Sequence, residues 1–417
     1  MHVVIFEGSQ WRTFAPFSLS RPVFLLHCGT GTLLEKQLRA TCPTRVTLWV
    51  RPALEEFCRR VVVPQISCPA SVNTPLDDEP AIILSGRTLH FSNFEKSDSE
   101  SVVVDEGLDG PIVRQAWVHS PGLSPEDALQ RTDRWLRLLD LPHTMQQSRL
   151  PEYVWDLIKW NEEAIVADSI AMTEPSQPKP AGAYHLVEEE NIWLGNGVKL
   201  EAGCVVDASK GPVILGPGVQ IGANAVIQGP CCIGSHSQIS PLATIRAGTS
   251  IGSMCKIGGE VSSSIILSYT NKPHDGFLGD SYLGEWVNLG AGTTTSNLKN
   301  TYGEVTMPVD GRRVKTGRRF LGSLIGDHTK VAIGTRLMGG TYVGYSCMVG
   351  VSTYPPKFIP SFTFLTDQGP QPYRMEKAAD TMKLVFARRN RGWTDADETM
   401  NRLVAETAKL VERNPEE

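Results

Sequence analysis

The sequence lacks the features that mark secreted, membrane-spanning and nucleic-acid-binding proteins. It contains no run of about 18 apolar residues, so no transmembrane helix is expected. Residues 1–7 have neither a basic start nor a long apolar run and do not resemble a secretory signal. The formal net charge is only −5, from 40 basic and 45 acidic side chains. This near balance gives no indication of binding to nucleic acid or to a membrane surface.

Paired cysteines are also lacking. The chain of 417 residues has nine cysteines, and no two of them form a C-x-x-C pair. Zinc sites and disulfide frameworks usually show regular cysteine spacing, so neither is expected here. Scattered cysteines in a repeat are more often small buried thiols. A reducing, cytoplasmic location is therefore predicted, with no metal assigned to these residues.

The dominant pattern is an aliphatic residue at every sixth position over eight hexads, namely Leu215, Ile221, Ile227, Ile233, Ile239, Ile245, Ile251 and Ile257. A helix repeats near 3.6 residues and a half-buried strand repeats at 2, so neither explains this period. A sustained period of six predicts a parallel β-helix, in which each hexapeptide forms one short strand and one corner. Three hexads then form one triangular coil, with the aliphatic side chains stacked inside.

The repeat extends beyond these eight hexads in both directions. Upstream it includes Leu194, Leu200 and Val206, followed by a three-residue offset near residues 210–212. Downstream it resumes at Ile325, Val331, Leu337, Val343 and Val349. Between residues 261 and 319 the repeat is predicted to be broken and partly replaced by loops. Because insertions in solenoids commonly carry function, a site is expected in this stretch.

The flanking segments have a different pattern. Apolar runs at 3–6, 46–50 and 81–84 predict strands, and residues 124–139 and 153–168 have helical patterns. This alternation favours an α/β domain with a mostly parallel sheet. The predicted organisation is an α/β domain at 1–172, a proline-rich linker at 173–182, a β-helix at 183–365 and a helical tail at 366–417.

One segment resembles a known family. Residues 271–293 read NKPHDGFLGDSYLGEWVNLGAGT and are similar to the acetyltransferase half of the GlmU family. Members of that family acetylate glucosamine-1-phosphate and then attach UMP. The stretches SLSRP at 18–22 and YVWDL at 153–157 resemble GlmU-like sugar nucleotidyltransferases with a shortened N-terminal domain. The resemblance implies a nucleotidyltransferase-like first domain, a left-handed β-helix, acetyl-CoA as co-substrate and a homotrimer.

The resemblance implies that His274 is the base of acetyl transfer. The residue type agrees, because an amine must lose a proton to attack a thioester and imidazole titrates near neutral pH. The glycines at 276 and 279 leave room for a substrate to approach closely. The alternative interpretation is an ordinary histidine of a surface loop.

Other site residues follow from the same resemblance. It implies substrate contacts for Arg246, Glu260, Asn288 and Asn297, and passage of the CoA arm past Ala291. An arginine fork suits a phosphate group, although a lone arginine at a corner is commonly only solvated. Independently, the charge run Arg312, Arg313, Lys315, Arg318 and Arg319 predicts a loop that binds CoA phosphates, chiefly through its last two residues. The alternative for this run is a solvated loop.

Two departures from the family leave the acceptor open. Ser262 stands where the family has a lysine, and Phe277 stands where it has a tyrosine. These changes leave acyl transfer intact but put a phosphorylated acceptor in question.

The first domain departs further from the family. The phosphate-binding loop G-x-G-T-R is replaced by EGSQWR at 7–12, and no Gly-Asp pair follows the strand at 81–84. Magnesium is therefore expected only if this domain is active, and no residue is assigned to it. Arg12, Arg21 and Lys36 are candidates to bind the phosphates of UTP or another nucleoside triphosphate. The alternative is that they are solvated surface residues.

The predicted function is acetyl-CoA-dependent N-acetyl transfer to an amino sugar phosphate or a nucleotide amino sugar. One alternative is a bifunctional enzyme that also transfers a nucleotide to a sugar 1-phosphate. The other is a non-catalytic scaffold that binds sugar nucleotides. No nucleic acid or membrane partner is expected.

Overall fold

The computed structural model describes residues 1–76, 79–89, 99–107, 110–119, 121–145, 149–173 and 175–413. The chain divides into two compact units. The first comprises Met1–Phe14, Ser18–Leu26 and Gly31–Val154, and the second comprises Ala15–Phe17, His27–Thr30 and Trp155–Glu417. The predicted domain boundaries stay a prediction, because this division follows contacts rather than continuous sequence.

A seven-stranded sheet forms the centre of the first unit. In spatial order its strands are Ala70–Val72, Arg45–Trp49, His2–Phe6, Ala81–Ser85, Gly110–Val118, Ser101–Gly107 and His143–Met145. The strand His2–Phe6 is largely apolar and β-branched, and its Val3, Val4 and Ile5 are fully buried. It pairs in parallel with both neighbours, whereas Gly110–Val118 is antiparallel to the strands on each side. The predicted α/β sheet is therefore present, with an antiparallel strand inserted.

The helices of the first unit are short. The α-helices are Leu33–Thr41, Glu55–Phe57, Pro125–Gln130 and Asp133–Leu136. A π-helical turn spans Cys58–Val62, and 3-10 turns span Ser9–Phe14, Val23–Leu25, Pro52–Leu54, Val63–Gln65 and Arg137–Asp140. A further 3-10 turn, Phe17–Leu19, and the short strands His27–Cys28 and Gly31–Thr32 lie where the chain passes between the units.

The predicted single helix over residues 124–139 is wrong in its length. Ser124 and Asp127 form the capping box expected at its start. Arg131 then adopts a left-handed conformation with φ of 52°, which ends the first helix. Thr132 caps a new helix by accepting the amide of Trp135. The apolar spacing continued across this break and concealed it.

The second unit contains the predicted parallel β-helix, whose coils build three sheets. The six-stranded sheet contains His185–Val187, Val205–Asp207, Val226–Gln228, Thr244–Ile245, Glu260–Ser262 and Phe277–Gly279. The nine-stranded sheet contains Ile192–Leu194, Val213–Leu215, Cys231–Ile233, Thr249–Ile251, Ile265–Ile266, Tyr282–Leu283, Ser323–Ile325, Thr341–Val343 and Phe358–Ile359.

The third face is a ten-stranded sheet that contains Lys199–Leu200, Gln220–Ile221, Gln238–Ile239, Lys256–Ile257, Asn271–Lys272, Asn288–Leu289, Lys330–Val331, Met348–Gly350, Thr363–Thr366 and Gly369–Pro372. Its last strand is antiparallel to the one before it, and all other pairings in the three sheets are parallel. One further parallel pair is Thr294–Thr295 with Arg336–Leu337. The predicted fold class, a left-handed β-helix after an α/β domain and before a helical tail, is confirmed.

The aliphatic residues stack in the columns that the period predicted. Leu215 pairs with Ile233, and Ile233 pairs with Ile251. All eight predicted positions belong to one core cluster and are almost completely buried. The predicted offset is also present, because the coil from Leu194 to its partner Leu215 is three residues longer than the coil from Leu215 to Ile233.

The predicted break between residues 261 and 319 is too wide. Ile266, Leu278, Leu283 and Leu289 continue the core through most of it. Lys272 takes a column position opposite Ile257. This lysine, together with shortened corners, hides the period in the sequence. The true insertion comes after the strand Thr294–Thr295 and carries an antiparallel hairpin of Thr306–Val309 and Arg312–Lys315.

The helix Val154–Ile170 belongs to the second unit from Trp155 onward. Its Asn161 amide donates to the Gly248 carbonyl oxygen at 2.8 Å. The Asn161 side-chain oxygen accepts from the Gly29 amide at 2.7 Å and from the Ser250 hydroxyl at 3.1 Å. A fully buried asparagine thus anchors this helix to the β-helix.

The predicted tail helices are present as Met375–Ala387 and Asp395–Val411. Elsewhere in the second unit, a 3-10 turn at Glu189–Asn191 precedes the strand Ile192–Leu194. The expected capping box of Thr394 and Asp397 opens the last helix. Phe386 packs on Trp286 with 4.5 Å between ring centroids, which docks the tail on the β-helix. Among the described residues, no helix combines the length and the apolar character needed to cross a membrane.

Candidate functional site

His274 lies at a corner of the β-helix, between the strands Asn271–Lys272 and Phe277–Gly279. We call the turns at 258–259, 273–276, 290–293 and 332–335 the His274 corner, because each follows a strand of the ten-stranded sheet on successive coils. The first two turns lead into the six-stranded sheet, and the last two lead into the parallel pair Thr294–Thr295 and Arg336–Leu337. The side chain of His274 is exposed. A Cβ at Gly276 would overlap the carbonyl oxygen of Thr293, so adjoining turns are in direct contact. The structure therefore brings His274 and Ala291 onto neighbouring coils of one edge.

A buried lysine that was not predicted as a site residue lies beside His274. Lys272 is only 2% exposed. Its ammonium donates to the Gly258 carbonyl oxygen at 2.7 Å and to the His274 carbonyl oxygen at 3.1 Å. Burial lowers the pKa of Lys272 to about 8, while the charge of Asp275 acts in the opposite direction. No sequence signal marked it, because the coil from Ile257 to Lys272 is shorter than the coil from Ile233 to Ile251 and moves Lys272 off the six-residue period.

Arg246 and Glu260 form an ion pair on the six-stranded sheet. The Nε atom of Arg246 lies 2.8 Å from Oε1 of Glu260. Glu260 is in register with Phe277, three residues after His274. The two side chains are 53% and 40% exposed, so their attraction is weak. A phosphate can therefore compete for this guanidinium.

The two candidate asparagines occupy different places. Asn288 lies on the ten-stranded sheet in register with Asn271, two residues before the turn that contains Ala291. Asn297 donates from Nδ2 to Oδ2 of Asp280 at 2.8 Å. Burial raises the pKa of Asp280, opposed by the hydrogen bond from Asn297 and the charge of Arg318. Asp280 ends the segment DGFLGD, yet no role was predicted for it.

Arg318 and Arg319 differ in their surroundings. The guanidinium of Arg318 donates from Nη1 to the Trp155 carbonyl oxygen at 2.8 Å and from Nε to the Phe320 carbonyl oxygen at 3.2 Å. Its Nη2 lies 3.5 Å from Oδ1 of Asp280. These contacts hold Arg318 within the protein, whereas Arg319 is exposed. Arg319 is thus the better placed of the pair to meet a ligand.

In the first unit, a turn with a single glycine, followed by the 3-10 turn Ser9–Phe14, occupies the sequence position of the glycine-rich loop. Glu7 is fully buried directly after the strand His2–Phe6 and forms an ion pair with Arg51. Burial raises the pKa of Glu7, and the charge of Arg51 opposes this rise. Arg51 also donates to the Ser18 carbonyl oxygen and lies over the Trp11 ring, 4.1 Å from its centroid. The buried ion pair thus lies beside the turn that begins at Gly8.

The three basic candidates of the first unit are not equivalent. Arg12 is exposed, whereas Arg21 is 9% exposed and Lys36 is 2% exposed. The interpretation of all three as solvated surface is therefore wrong for Arg21 and Lys36. Burial of two cations in one α/β unit requires compensating negative charge or hydrogen bonds.

Polar groups near the end of the strand Ala81–Ser85 are incompletely bonded. Gln37 donates from Nε2 to the carbonyl oxygens of Ser85 and Thr88 at 3.0 and 3.1 Å. In the part of the chain that the structure describes, Gln37 Oε1, Ser85 Oγ and Thr88 Oγ1 are buried without a hydrogen-bond partner. Such groups usually find a partner in a ligand or in water. Within the same residues, no three His, Cys, Asp or Glu side chains are grouped to hold a metal, so we assign none to Mg²⁺.

Comparison with known families agrees with this architecture. Residues 3–177 match the family model of sugar nucleotidyl transferases. Residues 212–247 match the bacterial transferase hexapeptide model, which comprises six repeats. The chain therefore joins a segment that matches the sugar nucleotidyltransferase model to a segment that matches the transferase hexapeptide model.

The chain is also similar to curated bifunctional proteins of the GlmU type. A bifunctional sugar-1-phosphate nucleotidylyltransferase/acetyltransferase of Sulfurisphaera tokodaii is 38% identical over 137 residues, which cover 32% of this chain and 34% of the relative. The bifunctional protein GlmU of Methanococcus vannielii is 38% identical over 129 residues, which cover 30% of this chain and 31% of the relative. The bifunctional protein GlmU of Marinobacter nauticus is 29% identical over 228 residues, which cover 52% of this chain and 44% of the relative. The GlmU-like resemblance is confirmed, although the chain spans about a third of the length of the first two relatives.

Proposed function

We propose that the protein is an acetyl-CoA-dependent N-acetyltransferase that acts on an amino sugar phosphate or a nucleotide amino sugar. The observation that carries the proposal is the exposed His274 at a β-helix corner, on the coil adjoining Ala291. The nine free cysteines support a cytoplasmic location, because thiols persist where the environment is reducing.

In the proposed reaction, the imidazole of His274 takes a proton from the acceptor amine as the nitrogen attacks the thioester carbonyl carbon. A carbon–nitrogen bond forms, the carbon–sulfur bond breaks, and the CoA thiolate receives the proton from the imidazolium. The Gly290 amide already donates to the Val331 carbonyl oxygen at 2.9 Å. The candidate donor to the developing oxyanion is therefore the Ala291 amide.

The acceptor is proposed to lie against the ion pair of Arg246 and Glu260. The guanidinium suits a phosphate, and the carboxylate suits sugar hydroxyls. Phe277 is half-buried, and its amide donates to the Thr294 hydroxyl at 3.2 Å. A phenyl ring here gives no hydrogen bond to a phosphate, so the proposed phosphate contact is left to Arg246.

Acetyl-CoA is proposed to follow the His274 corner. Ile333 lies on the coil after Ala291 and is 76% exposed. An exposed isoleucine next to a small residue suits contact with the apolar part of a pantetheine arm, and the exposed Arg319 remains the proposed phosphate contact. Asn297 donates a hydrogen bond to Asp280. We also propose a homotrimer in which neighbouring chains complete each site, because the chain carries hexapeptide repeats of the transferase type.

The first experiment measures acetyl-CoA consumption against a panel of amino sugars, their phosphates and nucleotide amino sugars. We expect turnover with at least one phosphate or nucleotide derivative and little turnover with the free sugars. Mass spectrometry of the product should show one added acetyl group on nitrogen. A folded protein that consumes acetyl-CoA with none of these acceptors would contradict the proposal.

A second candidate function is nucleotidyl transfer to a sugar 1-phosphate. The buried cations Arg21 and Lys36 favour it, together with the unbonded oxygens of Gln37, Ser85 and Thr88. The ion pair of Glu7 and Arg51, at the position of the phosphate-binding loop, argues against nucleotidyl transfer. The first unit thus offers charge for a polyphosphate but lacks the usual loop.

Calorimetric titration with UTP and other nucleoside triphosphates in the presence of Mg²⁺ tests this second function. If the first unit binds a nucleotide, Lys36→Met should weaken binding at least tenfold, whereas the exposed Arg12→Met should change it less. The order of the two effects follows from their burial, because a desolvated charge interacts more strongly with phosphate. If no nucleotide binds, nucleotidyl transfer is excluded and acetyl transfer remains the proposed function. Nucleotide binding without turnover in either reaction would favour a non-catalytic scaffold that binds sugar nucleotides.

A further inference from the structure

Lys272 occupies a position at which the neighbouring coils place an aliphatic residue. In the ten-stranded sheet, Ile257 pairs with Lys272, and the next coils supply Leu289 and Val331. The core side of this column is otherwise apolar. A charge there costs free energy unless it gains hydrogen bonds. The fold by itself therefore does not require a lysine at this position.

The corner next to Lys272 is shortened. Other turns of this corner have four residues, as at 290–293, but only Gly258 and Gly259 separate the strands Lys256–Ile257 and Glu260–Ser262. In a complete turn, the first carbonyl oxygen accepts the amide three residues later, as Gly290 accepts from Thr293 at 3.1 Å. The shortened turn has no residue in that place. The Lys272 ammonium donates to the Gly258 carbonyl oxygen instead, at 2.7 Å.

The carbonyl oxygen of His274 is bonded differently from its equivalents. In the turns at 222–225 and 290–293, the second carbonyl oxygen accepts an amide from the next coil. The Leu242 amide donates to Ala223 at 3.0 Å, and the Gly334 amide donates to Ala291 at 2.7 Å. At His274, the equivalent oxygen accepts the ammonium of Lys272 at 3.1 Å. One buried side chain thus holds both the shortened turn and the backbone of His274.

We propose that Lys272 is a positioning residue for His274. Its ammonium ties the His274 carbonyl to the Gly258 carbonyl of the preceding coil, which fixes the turn from which the imidazole projects. Lys272 acts through His274 and not on the substrate. The proposal rests on the proposed role of His274 as the base, but the tether itself can be tested without turnover.

The variant that tests the proposal is Lys272→Met. Methionine fits an apolar column, so the coil should remain folded while both hydrogen bonds are lost. Lys272→Leu is a second variant, because leucine occupies the next coil at Leu289. Lys330→Met is the matched control. Burial also lowers the pKa of Lys330 to about 8, and its ammonium donates to the carbonyl oxygens of Trp286 and His328, away from the His274 corner.

We expect Lys272→Met to lower kcat by about tenfold to a hundredfold, the scale for a misplaced catalytic group, with the KM for acetyl-CoA unchanged. Lys330→Met should leave kcat within about twofold of the parent, since it leaves the base in place. A general loss of stability would instead affect both variants. Equal kcat in Lys272→Met and the parent would overturn the proposal.

A second readout separates the tether from the proposed reaction. The imidazole proton resonances of His274, assigned by their loss in His274→Ala, should shift or broaden in Lys272→Met and stay unchanged in Lys330→Met. If the parent transfers no acetyl group to any acceptor, the proposed function fails, and this spectrum still decides whether Lys272 orders His274. Unchanged resonances in both Lys272 variants would overturn the tether.

The pH dependence of stability checks that the ammonium is buried in solution. Because its pKa in the folded chain is lowered to about 8, the folded state binds fewer protons than the unfolded state between about pH 8 and pH 10. Stability of the parent should therefore rise with pH across this window. Lys272→Met should lose this part of the rise, whereas a slope identical to that of the parent would contradict the buried contact.

Discussion

Ile245→Asp is expected to unfold the β-helix under conditions in which the parent chain is fully folded. Ile245 is completely buried and stacks between Ile227 and Val261 in the six-stranded sheet. A carboxylate there loses its hydration and gains no described partner in an aliphatic column, at a cost of several kcal/mol. Domains are commonly stable by only roughly 5–15 kcal/mol, so this cost removes much of the total.

Thermal and urea unfolding followed by circular dichroism measures this effect. Gln238→Asp is the matched control, because Gln238 is exposed on the outer face of a neighbouring short strand. It should change the free energy of unfolding by less than about 0.5 kcal/mol. Ile245→Val should cost about 1 kcal/mol, since it removes one methylene without adding charge. Unchanged unfolding of Ile245→Asp would show that the assigned register is wrong.

The β-helix could be predicted because its physical constraint repeats. Every coil must place an aliphatic side chain inside and turn sharply outside, so eight hexads carry the same requirement. The stacking of Leu215, Ile233 and Ile251 follows directly from that period. The α/β unit was predicted less completely, because the break at Arg131 depends on a local left-handed turn that apolar spacing does not report.

The site was predictable only where a residue type limits the chemistry. An exposed histidine near glycines suggests a base, and its segment also resembles a family, so His274 could be named as a candidate; its role stays a prediction. Lys272 and Asp280 act through hydrogen bonds to backbone and side-chain atoms that are distant in sequence or hidden by a shifted period. Their partners, Gly258 and Asn297, become evident only when successive coils are stacked.

The basic cluster shows why charge patterning alone is insufficient. Arg318 and Arg319 are adjacent and identical in type, yet one is held by Trp155 and Asp280 and the other is exposed. The helix that supplies Trp155 lies far away in the sequence, so its approach could not be read from the run of charges. A role for Arg319 in binding CoA stays a prediction.

His274→Ala is expected to lower kcat for acetyl transfer by roughly 10²–10⁴-fold, the usual effect of removing a positioned base. Folding should be unaffected, because the imidazole is exposed and the turn is held by backbone and Lys272 contacts. Binding of acetyl-CoA should persist, since the imidazole is proposed to act on the acceptor amine. The loss should therefore fall on kcat more than on the KM for acetyl-CoA.

The matched control is His236→Ala, which removes another exposed histidine from a corner of the same β-helix. It should leave kcat within about twofold, because the proposed site does not include that corner. The pH profile of kcat/KM should lose its acidic limb in His274→Ala and keep it in His236→Ala, since that limb reports ionisation of the base in the free enzyme. Near-normal turnover of His274→Ala would remove this residue from the mechanism. The acetyltransferase proposal would then depend on the hexapeptide-repeat family alone, which hosts the fold without specifying the reaction.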